Sequence, residues 1–179
     1  MRKLKLEELG RPSLEQFKHA PKRPIVLVLD SIRSGLNVGS IFRTADAFAL
    51  REIHLCGITA KPPHREILKT AIGATDSIPW TYHHSIVDCI RLLKTQDFEV
   101  IGVEQTDQSV QLNDFQLIGE NPVALVFGNE VGGIDEAVLP LLDYCIEVPQ
   151  WGTKHSINVA VCAGIVIWHL IFSGTTRHL

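Results

Sequence analysis

Short apolar runs alternate along the chain with stretches whose apolar residues recur at helical spacing. "IVLVLD" at 25–30 is apolar almost throughout, and comparable runs near 52–57, 98–103, 123–127 and 144–148 read as strands. Between them the pattern predicts helices near 38–49, 84–94, 135–142 and 155–172. Near-continuous apolar strands separated by helices predict an α/β fold, with a mostly parallel sheet buried on both faces and flanked by helices.

The first of these helices can be read residue by residue. Val38, Ile41, Phe42, Ala45, Phe48 and Ala49 fall on one stripe, and Asn37 stands where an N-cap is expected. Arg43 lies well round the helix from Val38, so its guanidinium reaches a cleft or solvent. For a helix standing alone, a surface salt bridge is the ordinary role of such an arginine.

Composition narrows the class. A chain of 179 residues, 45% hydrophobic and 21% charged, can bury one sizeable core. The net charge of −3 argues against uniform adhesion to nucleic acid, but the charge is unevenly spread. Residues 1–24 carry a net +4 and the remainder −7, which marks 1–24 as a basic N-terminal extension, partly helical, ahead of a domain at 25–179. Cys56, Cys89, Cys145 and Cys162 are scattered in apolar runs without a CxxC pair and read as reduced, buried core thiols. "MRKLKLEELGRPSL" lacks the apolar core of a signal peptide. The longest apolar stretch, 157–172, falls short of the roughly 20 residues of a bilayer span. The expectation is a cytoplasmic protein with no membrane partner.

In open α/β sheets ligands gather at the carboxyl ends of the strands. The loops there, "DSIRSGLNVGS", "VEQTDQS", "FGNEVGG" and "VPQWGTKHSIN", are rich in Gly, Asn, Ser and Thr. None supplies GxGxxG, and "GNEVGGID" lacks the lysine of a phosphate-binding loop, so dinucleotide and nucleoside-triphosphate chemistries are disfavoured. The eight histidines show no HExxH or Cys/His spacing, and no metal site is predicted. Ser156 has no GxSxG elbow around it and reads as a cap or an anion contact.

Three blocks in order, "NVGSIFRTADAF" (37–48), "LVFGNEVGG" (125–133) and "IEVPQWGTKHSINVAVCAGIVIW" (146–168), resemble the SpoU/TrmH branch of the SPOUT RNA 2′-O-ribose methyltransferases. The resemblance spans 25–172. It implies a fold whose C-terminal stretch forms a deep trefoil knot, a homodimer with an RNA site built from both subunits, and S-adenosyl-L-methionine (AdoMet) as methyl donor. It places the cofactor against Val103, Glu104, Gly128, Val148, Gln150 and Ser156. Arg43 matches the family's catalytic arginine, and Asn37, Glu130, Ser156 and Asn158 complete the implied catalytic set. Loop and helix capping are the plainer roles for Glu130 and Asn158.

An arginine stays protonated in proteins, so stabilising a developing oxyanion suits Arg43 better than removing a proton. The chain departs mildly from the family at Gln150 and Ile157. The "GVEQT" and "CIEVPQ" segments look most like the branch acting on the tRNA D-loop guanosine, which puts tRNA ahead of rRNA as substrate. A catalytically silent RNA-binding protein is the alternative from another class. Lys61, Arg65 and Lys69, with the basic extension, are candidate contacts to RNA phosphates.

Overall fold

The computed structural model describes residues 1–117 and 121–173. Seven strands form one sheet: β1 (Arg23–Asp30), β2 (Leu50–Cys56), β3 (Trp80–His83), β4 (Glu99–Val103), β5 (Val110–Gln111), β6 (Val123–Phe127) and β7 (Tyr144–Glu147). Their spatial order is β3-β2-β1-β6-β4-β7-β5, and every pairing is parallel. Six helices accompany them: α1 (Leu14–His19), α2 (Gly35–Ala47), α3 (Arg65–Ala71), α4 (Ala74–Ser77), α5 (Ile86–Thr95) and α6 (Val159–Phe172).

The apolar strands are buried on both faces, and their alternation divides the core into two layers. Ile25, Leu27 and Leu29 of β1 join Val123, Leu125 and Phe127 of β6 in the layer that packs on α2, α3 and α6. Val26, Val28, Ala124 and Val126 point the other way, onto Ile86, Cys89, Ile90 and Leu93 of α5. On α5 those four positions are spaced as one helical stripe.

Val38, Ile41, Phe42 and Ala45 form the expected buried stripe of α2. The helix nevertheless begins earlier than the predicted 38. Ser34 is its cap, accepting from the Asn37 amide at 3.3 Å, so Asn37 sits within the first turn and keeps its side chain free for other partners. Phe48 ends the helix, and Ala49 turns with φ 52° into β2. Gly39 lets α3 cross α2 closely, because a Cβ there would lie 2.3 Å from the Ile67 carbonyl oxygen.

Other expectations are corrected. Residues 135–142 do not form a helix: an Asp135-led turn runs into a short 3-10 turn at Leu139–Leu141. Pro140 explains the difference, since its ring disfavours a continuous helix and restricts Leu139 before it. Ile134 and Val138 still cover the α5-side layer. The last helix starts at Val159 rather than 155, capped by Asn158, whose Oδ1 accepts from the Ala160 and Val161 amides at 3.0 and 3.4 Å. Cys56 and Cys89 are buried as expected, whereas Cys145 and Cys162 are half-buried; all four are free thiols. β3, β5, α3 and α4 were not predicted. Among the described residues no helix is long and apolar enough to cross a membrane.

Candidate functional site

β4, β6 and β7 lie next to one another in the sheet or across one strand, so their carboxyl ends open on a common cleft. Three loops wall it: Val103–Gln105 after β4, Phe127–Gly133 after β6, and the segment from Glu147 to Val159 that leads into α6. The cavity measures about 390 Å³, within the range of small-molecule sites.

The β6 loop is closed on itself. Asn129 and Gly133 exchange two backbone hydrogen bonds of 3.1 and 3.0 Å. The Asn129 carboxamide adds three more, accepting from the Val131 and Gly132 amides and donating to the Gly133 carbonyl. Gly128 is required where the loop folds back, because a Cβ there would stand 2.0 Å from the Gly133 carbonyl carbon and 2.2 Å from the Ile134 nitrogen. Glu104 fixes the loop from β4. Its Oε2 accepts from the Ile134 amide at 3.0 Å and its Oε1 from the Gln105 amide at 2.9 Å.

The rim is tied together by Asn37. Its Nδ2 donates to Glu130 Oε1 at 2.7 Å, and its Oδ1 accepts from Asn158 Nδ2 at 3.1 Å. One side chain on α2 thereby connects the β6 loop to the cap of α6. Asn158 is used at both ends of its carboxamide, as helix cap and as donor to Asn37.

Val103, Glu104, Gly128, Val148, Gln150 and Ser156 all line this cleft, together with Glu130 and Asn158. Ser156 stands in the exposed lead-in to α6 rather than in the helix itself. Phe127, Glu147, His155 and Cys162 line it too, and of these Phe127, Glu147 and Cys162 escaped the sequence reading. Cys162 could have been found, since it lies four residues after Asn158 and shares its side of α6. Burial, with the Glu104 charge as a lesser influence, pushes the Cys162 thiol up to about 11, which favours the protonated thiol near neutrality. Among the described residues, the ionisable groups facing the cleft are carboxylates, this thiol and His155, with no lysine or arginine. Such a lining favours a ligand with cationic character and apolar or edge-bonding parts over a phosphate.

Arg43 is elsewhere. It is exposed on α2 and borders a separate hollow with Ser40, Thr44, Ala47, Phe48, Lys69 and Thr70. It has no side-chain hydrogen bond or ion pair among the described residues, so its donors are available. Lys69 shares that hollow, and Arg65 is exposed on the same helix. Lys61 instead rests 3.7 Å from the centre of the Tyr82 ring.

A scan against protein-family models matches residues 24–168 to the SpoU rRNA Methylase family. A Bacillus subtilis relative, 23S rRNA (guanosine(2553)-2′-O)-methyltransferase RlmP, is 32% identical over 146 residues, covering 81% of this chain and 57% of the relative. The Escherichia coli tRNA (guanosine(18)-2′-O)-methyltransferase is 25% identical over 80% of this chain and 61% of its own. The crystal structure of AdoMet-bound rRNA methyltransferase from Sinorhizobium meliloti superposes with a TM-score of 0.76 at 27% identity, covering 86% of this chain and 58% of that one. The chain thus spans less than two thirds of the length of these relatives.

Proposed function

The chain belongs to the SpoU rRNA methylase family, and from that membership we propose that it transfers a methyl group from AdoMet to a ribose 2′-oxygen of RNA. The observation that carries the reading is the cleft: every residue expected to hold the cofactor lines it, and among the described residues no lysine or arginine does. The donor set fits AdoMet. Val103, Phe127, Val148 and Ile157 offer apolar walls, the loop backbone offers edge hydrogen bonds to adenine, and Glu104, Glu130 and Glu147 supply negative charge near a cation. When bound, AdoMet supplies a methyl group on a sulfonium.

The chain's own residues align and stabilise. Asn37, clamped between Glu130 and Asn158, holds the rim on which the acceptor ribose rests. Arg43, kept charged, pairs with the phosphate beside that ribose and stabilises the oxyanion as it develops, while phosphate or water takes the proton.

Arg43 and the cleft are separate in one chain, and a second subunit reconciles them. Val161, Ile165, Trp168 and Phe172 form one stripe along α6, exposed by 53%, 40%, 56% and 60%. The stripe begins at Val161, next to Cys162 of the cleft lining, and ends at Phe172, whose ring meets Phe48 of the Arg43 hollow at 6.5 Å. Two copies packed through α6 in antiparallel fashion set the Arg43 hollow of one beside the cleft of the other. A homodimer with composite RNA sites is our reading of that geometry. The proposed trefoil knot draws support from the strand order, with β4 between β6 and β7, and from α6 returning to the α2 layer after β7.

For substrate, tRNA is preferred on the D-loop branch likeness in "GVEQT" and "CIEVPQ", with rRNA the alternative; either places the protein in the cytoplasm. The deciding experiment is transfer of labelled methyl from AdoMet to unmodified total tRNA and, separately, to rRNA, with 2′-O-methyl sites mapped. Label at a single ribose of tRNA supports the whole reading. Label only in rRNA moves the substrate, and absence of label from both with AdoMet bound overturns the enzymatic reading in favour of a silent RNA-binding protein.

A further inference from the structure

At the far edge of the sheet from the cleft, three elements bring nitrogen and sulfur donors together. His54 on β2, His83 on β3 and Cys89 on α5 each direct a potential ligand atom to one point, and the three atoms lie within 4.8 Å of one another. His54 is 6% exposed, Cys89 is fully buried and His83 is half-buried. The facing nitrogens, Nδ1 of His54 and Nε2 of His83, are 3.0 Å apart. We propose that His54, His83 and Cys89 form a binding site for a zinc-class divalent ion that fastens the edge strand β3 and helix α5 to β2.

The spacing of the two nitrogens is close to what such an ion requires. A tetrahedral ion with metal–nitrogen bonds of about 2.0–2.1 Å and a metal–sulfur bond of about 2.3 Å sets its ligand atoms roughly 3.3–3.7 Å apart. The two nitrogens need to separate by only a few tenths of an ångström, and β3 is an edge strand held on one side alone. Mixed imidazole and thiolate donors select borderline and soft ions over calcium or magnesium. Cys56, two residues from His54 on the same face of β2, shares the buried layer of Cys89 but lies outside the three-atom cluster.

Protons balance simply. Between neutral rings, one facing nitrogen must carry the proton of the hydrogen bond; on metal binding that ring shifts its proton to its other nitrogen, and both facing lone pairs become ligands. Cys89 loses its thiol proton to solvent as its sulfur bonds the ion. The three donors come from positions 54, 83 and 89, a spacing outside any contiguous metal motif, which is why the sequence predicts no site.

The test uses the full chain, stripped with a chelator and titrated with cobalt(II), then zinc. The expected result is one equivalent of cobalt with tetrahedral visible bands and a near-ultraviolet thiolate charge-transfer band, all displaced by zinc, and a higher melting temperature in zinc than in chelator. Cys89→Ser weakens the charge-transfer band, and His83→Gln, at a half-buried position where folding is less at risk, lowers zinc affinity by about a hundredfold or more. Wild-type protein with no thiolate band overturns the proposal. So does zinc binding unchanged in both variants, which assigns the ion to surface histidines such as His64, His84 or His155.

Discussion

Asn37 and Glu130, 93 residues apart in the chain, are joined by a 2.7 Å hydrogen bond from the Asn37 carboxamide to the Glu130 carboxylate. The contact locks α2 to the β6 loop, and through Asn158 to the start of α6. Because it is exposed, its removal costs only about 1 kcal/mol of stability. Its worth lies in placement. Asn37→Ala is expected to melt within a few degrees of the parent and to lose about tenfold or more in methyl transfer. Glu130→Gln keeps a carbonyl to accept the bond and should fall less far. Thermal melts and kcat on the same preparations check both; a wild-type rate in Asn37→Ala ends the positioning role.

Two glycines in one loop should respond oppositely to the same added methyl. A Cβ on Gly128 meets backbone atoms at 2.0 and 2.2 Å, whereas the nearest atoms to one on Gly132 are the Asn129 side-chain nitrogen and oxygen, at 3.8 Å. Backbone cannot rotate aside. Gly128→Ala is expected to destabilise by about 3 kcal/mol or more and to abolish AdoMet binding. Gly132→Ala should stay within about 0.5 kcal/mol of the parent. Denaturant titration with calorimetry of AdoMet binding separates the two; equal tolerance of both contradicts the close-packed loop.

β1, β2, β4 and β6 and the α2 and α5 helices were legible because extensive burial leaves a plain apolar signature, as in Ile25–Asp30, whereas the short, largely uncovered β7 was read from the spelling of its residues alone. β3 was not: Trp80–His83 is an edge strand with only intermediate burial, so no apolar run marks it. The false helix at 135–142 arose from reading apolar spacing without weighing Pro140. At the site, Gly128 and Asn37 were visible through the family likeness. The clamp among Asn37, Glu130 and Asn158 was not, because it joins distant positions, and neither was the separation of Arg43 from the cleft, since α2 carries both Asn37 and Arg43 on different sides.

Asp30 closes β1 with its carboxylate almost fully buried. Burial raises its pKa above the usual carboxylate value, outweighing the Asp135 amide and the Ser31 hydroxyl that donate to it at 2.9 and 3.1 Å. The folded state therefore holds this proton more tightly than the unfolded one. The stability this confers is complete below the unfolded value of about 3.9 and is lost as pH rises through the folded value. Asp30→Asn lacks that loss, so its stability relative to the parent should increase with pH across this window. Chemical denaturation from about pH 3.5 to 7, roughly the span of carboxylate titration, reads the difference; a constant gap refutes the assignment.

Arg43 supplies the sharpest test of whether two chains share one site. Arg43→Ala should bind AdoMet as the parent does, because Arg43 touches no part of the cleft, yet lose transfer by about a hundredfold or more. Arg43→Lys restores a charge without the planar fork and is expected to recover little. If the arginine of one subunit serves the cleft of the other, a dimer combining an Arg43→Ala chain with a chain carrying Asn37→Ala and Glu130→Ala holds one complete site. Mixing the two inactive proteins after subunit exchange should then regain activity, while Trp168→Glu on the α6 stripe, which buries a charge at the proposed interface, should give monomers and no recovery. Sedimentation and transfer assays read both outcomes. Dimers that fail to complement place Arg43 and the cleft of one chain in the same site, and an active Trp168→Glu monomer removes the second subunit from catalysis altogether.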